Sequence, residues 1–389
     1  MSILSVENLS LKFGKNKVLK DISFDLQPNE LIVILGSSGA GKTSLLKSIV
    51  GLYKPKGKIL IKDKNVTKLT PEQRKIAYMP QHYALFPKMT LIENVSFSPM
   101  IQGKTQHEID VICDSILNLV HLADRKYAFP NELSGGMKQR TALARSLATQ
   151  YPILLLDEPL RALDARLRIE LRSELRKLVK NLGFSVLMVT HDQNEAMSIA
   201  DKILVLNKGK IEQIGTQESI YYAPENIFVA SFLDEINQLN GIIKNKQEFN
   251  LAKLPESWNN IDKNKPYYKY SIECLSGDLL HAYSQKNYSI DENIYAVIKC
   301  ESIRVKYYHD EKENSTEGHH TNTIHGFITN KYFLGNWTKL HVESDNCKWI
   351  IKLPSIRADK YEINEKLILR FKPYNVFLFS KTEEDKDHA

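Results

Sequence analysis

The segment Gly36-Ser37-Ser38-Gly39-Ala40-Gly41-Lys42-Thr43 restricts the possible folds of this chain more than any other stretch. It fits the pattern G-x-x-x-x-G-K-[ST] in full. The apolar run 31–35 before it is strand-sized, and 42–50 after it has helical spacing and stops at Gly51. A glycine-rich turn between a strand and a helix lets backbone N–H groups point at one spot, and the helix start adds its positive dipole end. That arrangement attracts a polyphosphate. Lys42 is expected to reach the β- and γ-phosphates, and Thr43 to ligate Mg²⁺. With Ser44, next along the helix, the candidate phosphate-binding set is Gly36, Ser37, Ser38, Gly39, Ala40, Gly41, Lys42, Thr43 and Ser44.

Two further segments acquire meaning beside this loop. Ile153-Leu154-Leu155-Leu156-Asp157-Glu158 is an apolar strand ending in acids, a commonplace pattern when alone. Next to a phosphate loop, Asp157 is expected to hold Mg²⁺ and Glu158 to polarise an attacking water as general base. Leu133-Ser134-Gly135-Gly136-Met137-Lys138-Gln139-Arg140 opens a helical stretch in which Ser134 is a good N-cap. Each glycine in a helix costs about 1 kcal/mol relative to alanine. A cap alone therefore does not account for two adjacent glycines, whereas close approach of an anion to the helix N-terminus does.

The remaining pattern divides the chain in two. Residues 3–35 alternate apolar and polar, with turn signals at Gly14 and Pro28-Asn29, which predicts an antiparallel β portion leading into the strand 31–35. From 104 to 150 helical patterns dominate. Residues 166–182 read as an amphipathic helix, with Leu167, Leu171, Leu175, Leu178 and Leu182 at spacings of three and four and Gly183 as its stop. Strands at 153–156, 185–190 and 202–206 alternate with these helices, which predicts a parallel sheet covered on both faces. After 236 the texture changes to short β-rich runs at 293–299, 325–331, 339–343, 348–353 and 366–371, as in a small barrel or sandwich. Asn240-Gly241-Ile242-Ile243 and His325-Gly326-Phe327-Ile328 are similar enough to suggest two related β units. Residues 310–322 read as a solvated polar loop and 381–389 as a charged tail.

Composition narrows the functional classes. A net charge of +7 over 389 residues is mild and suits phosphates or an anionic membrane surface as well as nucleic acid. Basic patches interleaved with aromatics, of the kind that read RNA, are not evident, so no nucleic-acid partner is expected. Cys113, Cys274, Cys300 and Cys347 are far apart and read as small buried hydrophobes rather than a zinc or redox motif. His309, His319, His320 and His325 lack carboxylate or cysteine partners at ligand spacing. The N-terminal residues show no basic region followed by a long apolar stretch, so no signal peptide is expected. No apolar run approaches the roughly 18 residues of a membrane helix.

Taken in order, the phosphate loop, the Leu-Ser-Gly-Gly segment and the Leu-Leu-Leu-Asp-Glu-Pro segment resemble the nucleotide-binding subunit of ABC transporters. Further positions fit that resemblance. Gln81, in Met79-Pro80-Gln81, matches the Q-loop glutamine that contacts Mg²⁺ and the attacking water. His191 matches the switch histidine that contacts the γ-phosphate, Ala162-Leu163-Asp164 matches the D-loop, and Phe13 stands where an aromatic ring stacks on adenine. The resemblance implies an α/β P-loop NTPase domain at 1–236 with an antiparallel β portion and a helical subdomain. It implies a small all-β, OB-like (TOBE-type) regulatory domain at 237–389. ATP and Mg²⁺ are the implied cofactors. Glu158, His191 and Gln81 are the implied catalytic residues. Thr43, Gln81 and Asp157 would hold the metal. Ser134, Gly135, Gly136 and Asp164 would join Phe13 and the phosphate loop in holding nucleotide.

The same resemblance implies partners. Each motif occurs once, so two chains, as a homodimer or with a paired ATPase subunit, would sandwich two ATP molecules between complementary half-sites. Residues 85–90 and Glu93-Asn94-Val95 look like the stretch that faces the membrane subunits in importers of polyamines, ferric iron, sugars and sulfate. The implied setting is the cytoplasmic face of the inner membrane, with two integral-membrane permease subunits and, indirectly, an extracytoplasmic solute-binding protein. Residues 229–237 look most like polyamine or ferric-iron relatives, with sugar, sulfate and molybdate as alternatives. A soluble relative acting on DNA or ribosomes is a further alternative. Against it, 44–132 carries no sustained heptads and the chain holds one cassette. A non-catalytic sensor module is opposed by the intact Asp157, Glu158 and His191. Two departures stand out: Arg161 replaces the usual D-loop serine, and Lys299-Cys300-Glu301 replaces a frequent Arg-Pro-Glu.

Overall fold

The computed structural model describes residues 1–249, 266–308, 321–344 and 347–381. The chain forms two compact units, Met1–Ile220 and Tyr221–Ala389. The composition shift at 236/237 lies beyond this division because helix Ile227–Leu233 belongs to the second unit, where Ala230 packs with Tyr295, Val297 and Phe379. His309, His319 and His320, most of the expected loop 310–322 and the tail beyond 381 lie outside the described residues. Asn322 opens a strand rather than closing that loop.

The larger sheet of the first unit runs in the order Lys210–Gly215, Lys202–Asn207, Leu31–Gly36, Ser185–Val189, Ile153–Asp157, Ile76–Met79. Its pairings are parallel except at the edge strand Lys210–Gly215. Leu31–Gly36, Ile153–Asp157 and Ser185–Val189 are buried at every residue, as strands covered on both faces must be. The smaller sheet, Asn16–Leu26, Leu4–Phe13, Lys56–Ile61, Lys64–Asn65, is antiparallel throughout. Leu4, Leu9 and Ile22 from the small sheet, Ile34, Leu155 and Leu187 from the large one, and Leu45, Leu46 and Ile49 of helix Lys42–Val50 share one core.

That helix is held at its far end by buried Arg74, which donates to the carbonyls of Ser48 and Ile49 at 3.0 and 2.7 Å. These acceptors are among those a helix C-terminus leaves open. Helices Leu91–Ile101, Gln106–Leu119 and Gly135–Ala148 form a helical layer with its own apolar core, including Leu91, Val95, Cys113, Leu117 and Ala144. Thr90 and Thr105 start the first two with capping boxes to Glu93 and Glu108.

The second unit holds two five-stranded antiparallel sheets. One is ordered Leu279–Ser284, Tyr267–Cys274, Ile236–Phe249, Asn293–Lys299, Val376–Ser380. The other is ordered Arg304–Tyr307, Lys366–Phe371, Asn322–Phe333, Trp337–Glu343, Lys348–Pro354.

These sheets repeat one design. Ile236–Phe249 and Asn322–Phe333 are the central strands, and each shifts register just after an isoleucine, between Ile243 and Asn245 and between Ile328 and Asn330. Gly241 pairs with Ile294 as Gly326 pairs with Leu367. Asp291 and Asn364, with φ of 62° and 68°, each donate their main-chain N–H to the carbonyl of the matching isoleucine at 2.8 Å. The four-residue similarity in the sequence is thus the visible part of a longer structural repeat.

The two halves interlock. Arg304–Tyr307 follows Asn293–Lys299 in the chain but pairs with Lys366–Phe371 of the other sheet. Val376–Ser380 follows Lys366–Phe371 but pairs back with Asn293–Lys299. Two buried asparagines at matching positions bridge the sheets in the same reciprocal way. Asn237 accepts from the Ile350 N–H at 2.7 Å and donates to its carbonyl at 2.8 Å. Asn322 accepts from the His281 N–H at 2.7 Å and donates to its carbonyl at 2.9 Å. Each side-chain amide satisfies a buried peptide as a strand neighbour would. Tyr270, Ile294, Trp349, Leu367 and Phe371 lie in the shared core.

Candidate active site

Four parallel strands of the first unit end side by side. Their register sets Ile34 beside Val189, Val189 beside Asp157, and Leu156 beside Met79. The phosphate loop leaves the first strand, His191 follows the second, Glu158 the third and Gln81 the fourth. In open α/β sheets, ligands bind in the crevice outside such carboxyl ends.

The loop depends on its glycines. A Cβ on Gly36 would lie 2.1 Å from the Leu206 carbonyl oxygen, and Gly41 turns the chain into the helix at φ 103°. Lys42 Nζ donates to the carbonyls of Gly36 and Ser37 at 2.7 and 2.9 Å, which holds the ammonium against its own loop. Burial lowers its pKa, opposed by the charges of Glu158 and Asp157. Thr43 Oγ1 donates to Asp157 Oδ1 at 3.1 Å. Asp157 is 1% exposed, and its Oδ2 has no partner of hydrogen-bond geometry among the described residues. Burial pushes this carboxyl up, the Thr43 bond works against that rise, and the Glu158 charge adds to it.

Glu158 adopts φ 52°, in the left-handed region that few non-glycine residues occupy. Its N–H donates to the Val189 carbonyl at 3.0 Å, tying it to the end of the neighbouring strand. Its Oε2 accepts from Gln81 Nε2 at 3.0 Å and from Arg161 at 2.9 Å, and its Oε1 stands 3.7 Å from His191 Nδ1. Glu158, Gln81 and His191 therefore meet at one carboxylate. His191 keeps its side chain 60% exposed, although its loop is anchored. The next residue, Asp192, pairs with Arg172 at 2.6 Å and Arg168 at 3.6 Å.

Other expected site residues group elsewhere on the unit. Ser134 caps helix Gly135–Ala148 and accepts from Met137 N at 3.3 Å. Asp164 caps helix Ala165–Leu182 by accepting from Leu167 N at 3.0 Å, a structural role the sequence reading did not give it. No hydrogen bond of Ser134, Gly135, Gly136 or Asp164 reaches the phosphate loop among the described residues. Gly136 instead comes so near the D-loop that a Cβ would lie 3.3 Å from the Ala162 carbonyl oxygen. Phe13 presents a ring that is 49% exposed and makes an edge contact with Tyr53 at 5.1 Å.

Three residues have connecting roles that the sequence reading did not give them. Gln139, 1% exposed, donates to the Glu158 carbonyl at 2.8 Å and accepts from Ala162 N at 2.8 Å. Its signal was a polar residue on the buried face of the helix after Ser134. Arg145 donates to the Ala84 and Tyr83 carbonyls at 2.7 and 2.9 Å, and Asn94, fully buried, bonds both the N–H and carbonyl of Phe86. Together they fix the segment after Gln81, where Tyr83 and Ala84 both have positive φ.

Comparison with known proteins agrees with this geometry. Residues 19–161 match the ABC transporter family. The spermidine/putrescine import ATP-binding protein PotA of Nitrosospira multiformis is 34% identical, covering 96% of this chain and 97% of that protein. The sulfate/thiosulfate import ATP-binding protein CysA of Mannheimia succiniciproducens is 44% identical over 62% of this chain and 68% of its own length. Among solved structures, a dimeric, post-hydrolysis ATP-binding cassette bound to ADP and Pi matches with a TM-score of 0.51 and 30% identity, covering 55% of this chain and 98% of that one. With strands, loops and full-length relatives in agreement, the chain belongs to the ATP-binding, ATP-hydrolysing subunits of the ABC transporter family.

Proposed function

We propose that this subunit powers solute import by clasping ATP between two copies, or with a paired ATPase subunit, and releasing after hydrolysis. The observation that carries the reading is the convergence of Lys42, Asp157, Glu158, Gln81 and His191 at adjacent strand ends. Lys42 would exchange its loop carbonyls for phosphate oxygens. Phe13 would stack on adenine. Ser134, Gly135 and Gly136 would face the γ-phosphate held by the partner subunit, which accounts for their lack of bonds to their own phosphate loop. The dimeric cassette bound to ADP and Pi supports this arrangement by similarity.

The residues present fit a Mg²⁺ ion. An orphan carboxylate oxygen on Asp157 beside the Thr43 hydroxyl is the hard-oxygen pair such an ion takes from protein when phosphates and water supply the rest. Thr43 and Asp157 would hold it, with Gln81 alongside, and when bound it would neutralise charge on the phosphates. Glu158 would orient and deprotonate water, and His191 would sense the γ-phosphate.

No helix among the described residues is long and apolar enough to cross a membrane. Membrane subunits would therefore supply the path, and this chain would dock on them at the cytoplasmic face through the segment that Arg145 and Asn94 hold. The second unit would serve as the TOBE-type regulatory domain. Polyamine is the favoured cargo because the similarity to PotA extends over both units, whereas that to CysA spans 62% of the chain. Sulfate is the second reading, favoured by the higher identity within that shorter span. The test is reconstitution with the membrane subunits encoded beside it. ATP-dependent uptake of labelled spermidine or putrescine is expected, and uptake of sulfate instead would overturn the polyamine assignment.

A further inference from the structure

We propose that Arg161 is a positioning residue that holds Glu158 in reserve until the D-loop moves. The inference rests on the general-base reading of Glu158 and adds a control to it.

The carboxylate of Glu158 has little freedom of its own. Its backbone is pinned at positive φ, and its carbonyl is held by Gln139 at 2.8 Å. The rotamer of the side chain is what remains adjustable, and two donors settle it. Gln81 and Arg161 both bind Oε2, at 3.0 and 2.9 Å. Gln81 is neutral, whereas Arg161 is a cation, and a charge-assisted bond of this length is the stronger of the two. Arg161 thus pulls the carboxylate toward the D-loop, three residues along the same chain.

The D-loop is not a free tether. Ala162 N donates to Gln139 Oε1 at 2.8 Å, and Arg168 donates to the carbonyls of Leu163 and Arg161 at 2.9 and 3.4 Å. Gln139 lies on the helix that Ser134 starts, the element expected to meet the partner's nucleotide. Arg168 also contacts Asp192, beside His191. A shift of that helix on subunit pairing therefore moves the backbone that carries Arg161. The side chain of Arg161 is 58% exposed, so its cation is easily resolvated and the bond to Glu158 is reversible at a cost of a few-fold in equilibrium. A serine, the usual residue here, cannot supply this cation. Breaking the ion pair therefore opposes D-loop engagement by a few-fold, so isolated chains, which must pair to hydrolyse, turn over slowly until that engagement is driven.

The test compares steady-state ATP hydrolysis by the isolated full-length chain with that of Arg161→Ala, Arg161→Lys, Glu158→Gln and the double variant. Arg161→Ala is expected to raise kcat about three- to tenfold with KM and thermal midpoint unchanged, and Arg161→Lys to restore most of the restraint. In the Glu158→Gln background the same change should have no effect on rate. If Glu158→Gln is inactive and Arg161→Ala turns over no faster than the parent, the restraint is refuted while the base stands. If Glu158→Gln hydrolyses normally, it is the base assignment that fails. A gain that persists in the double variant would place the action of Arg161 elsewhere and equally refute the restraint.

Discussion

The two units of this chain treat buried polarity in opposite ways. In the second, Asn237 and Asn322 each satisfy both sides of a peptide group, and their amides are spent entirely on the architecture. In the first, polar groups converge on the strand ends without full pairing: Asp157 Oδ2 has no partner of hydrogen-bond geometry among the described residues, Lys42 leans on its own loop, and Glu158 holds a positive φ. An unsatisfied buried oxygen costs about 1–3 kcal/mol. On the proposed function a Mg²⁺ ion would relieve that cost at Asp157, so the contrast would mark the unit that binds nucleotide.

Substitutions can break or sharpen this contrast. The largest effect is expected from Glu158→Gln, which should slow ATP hydrolysis by roughly 10²–10⁴-fold while ATP binding persists and a nucleotide-dependent dimer accumulates on size exclusion. Near-normal turnover would return Glu158 to a structural role. Trp349→Ala, at a fully buried site, should destabilise the second unit by about 3–5 kcal/mol in urea melts. ATP binding by the first unit should survive, and its loss would show that the units do not divide the work. Lys42→Ala should weaken ATP binding by about 1.5–3 kcal/mol, the worth of hydrogen bonds to a charged group, and an unchanged isotherm would remove Lys42 from the phosphate site.

The smallest effect tests the second unit's own exception. Lys299 is 3% exposed, donates to the Tyr221 carbonyl at 2.8 Å, and is lowered by burial to about 7, with Asp234 opposing. Unfolded, it keeps its proton to about pH 10.4. Between these values the unfolded chain binds more protons, so stability should rise with pH, by up to about 1 kcal/mol per unit. Lys299→Met should flatten that rise in melts from pH 7 to 9, and an identical slope in both proteins would place the titration elsewhere.

How much of this was legible beforehand follows from the range of the forces involved. The phosphate loop and the strand before it could be read because glycine spacing and apolar runs are local. The helix stop at Gly51 and the cap at Ser134 are local too. Asp164 was read only as a nucleotide contact because capping and binding call for the same residue type. The roles of Gln139, Arg145 and Asn94 escaped because their partners are backbone atoms, up to 62 positions away, which leave no mark on side-chain patterns. The repeat in the second unit was faint for a related reason. What it preserves is register, positive φ and strand pairing, which many sequences satisfy.

The crossed final strands have a consequence during synthesis. The earlier sheet cannot be finished from its own stretch of chain, because its fifth strand, Val376–Ser380, is encoded after every strand of the later sheet. Until the ribosome releases those residues, Asn293–Lys299 offers a bare edge to any passing strand. A nonsense codon just before Val376 would therefore do its harm far upstream, leaving the older half of the domain open and sticky while every strand of the younger half is in place.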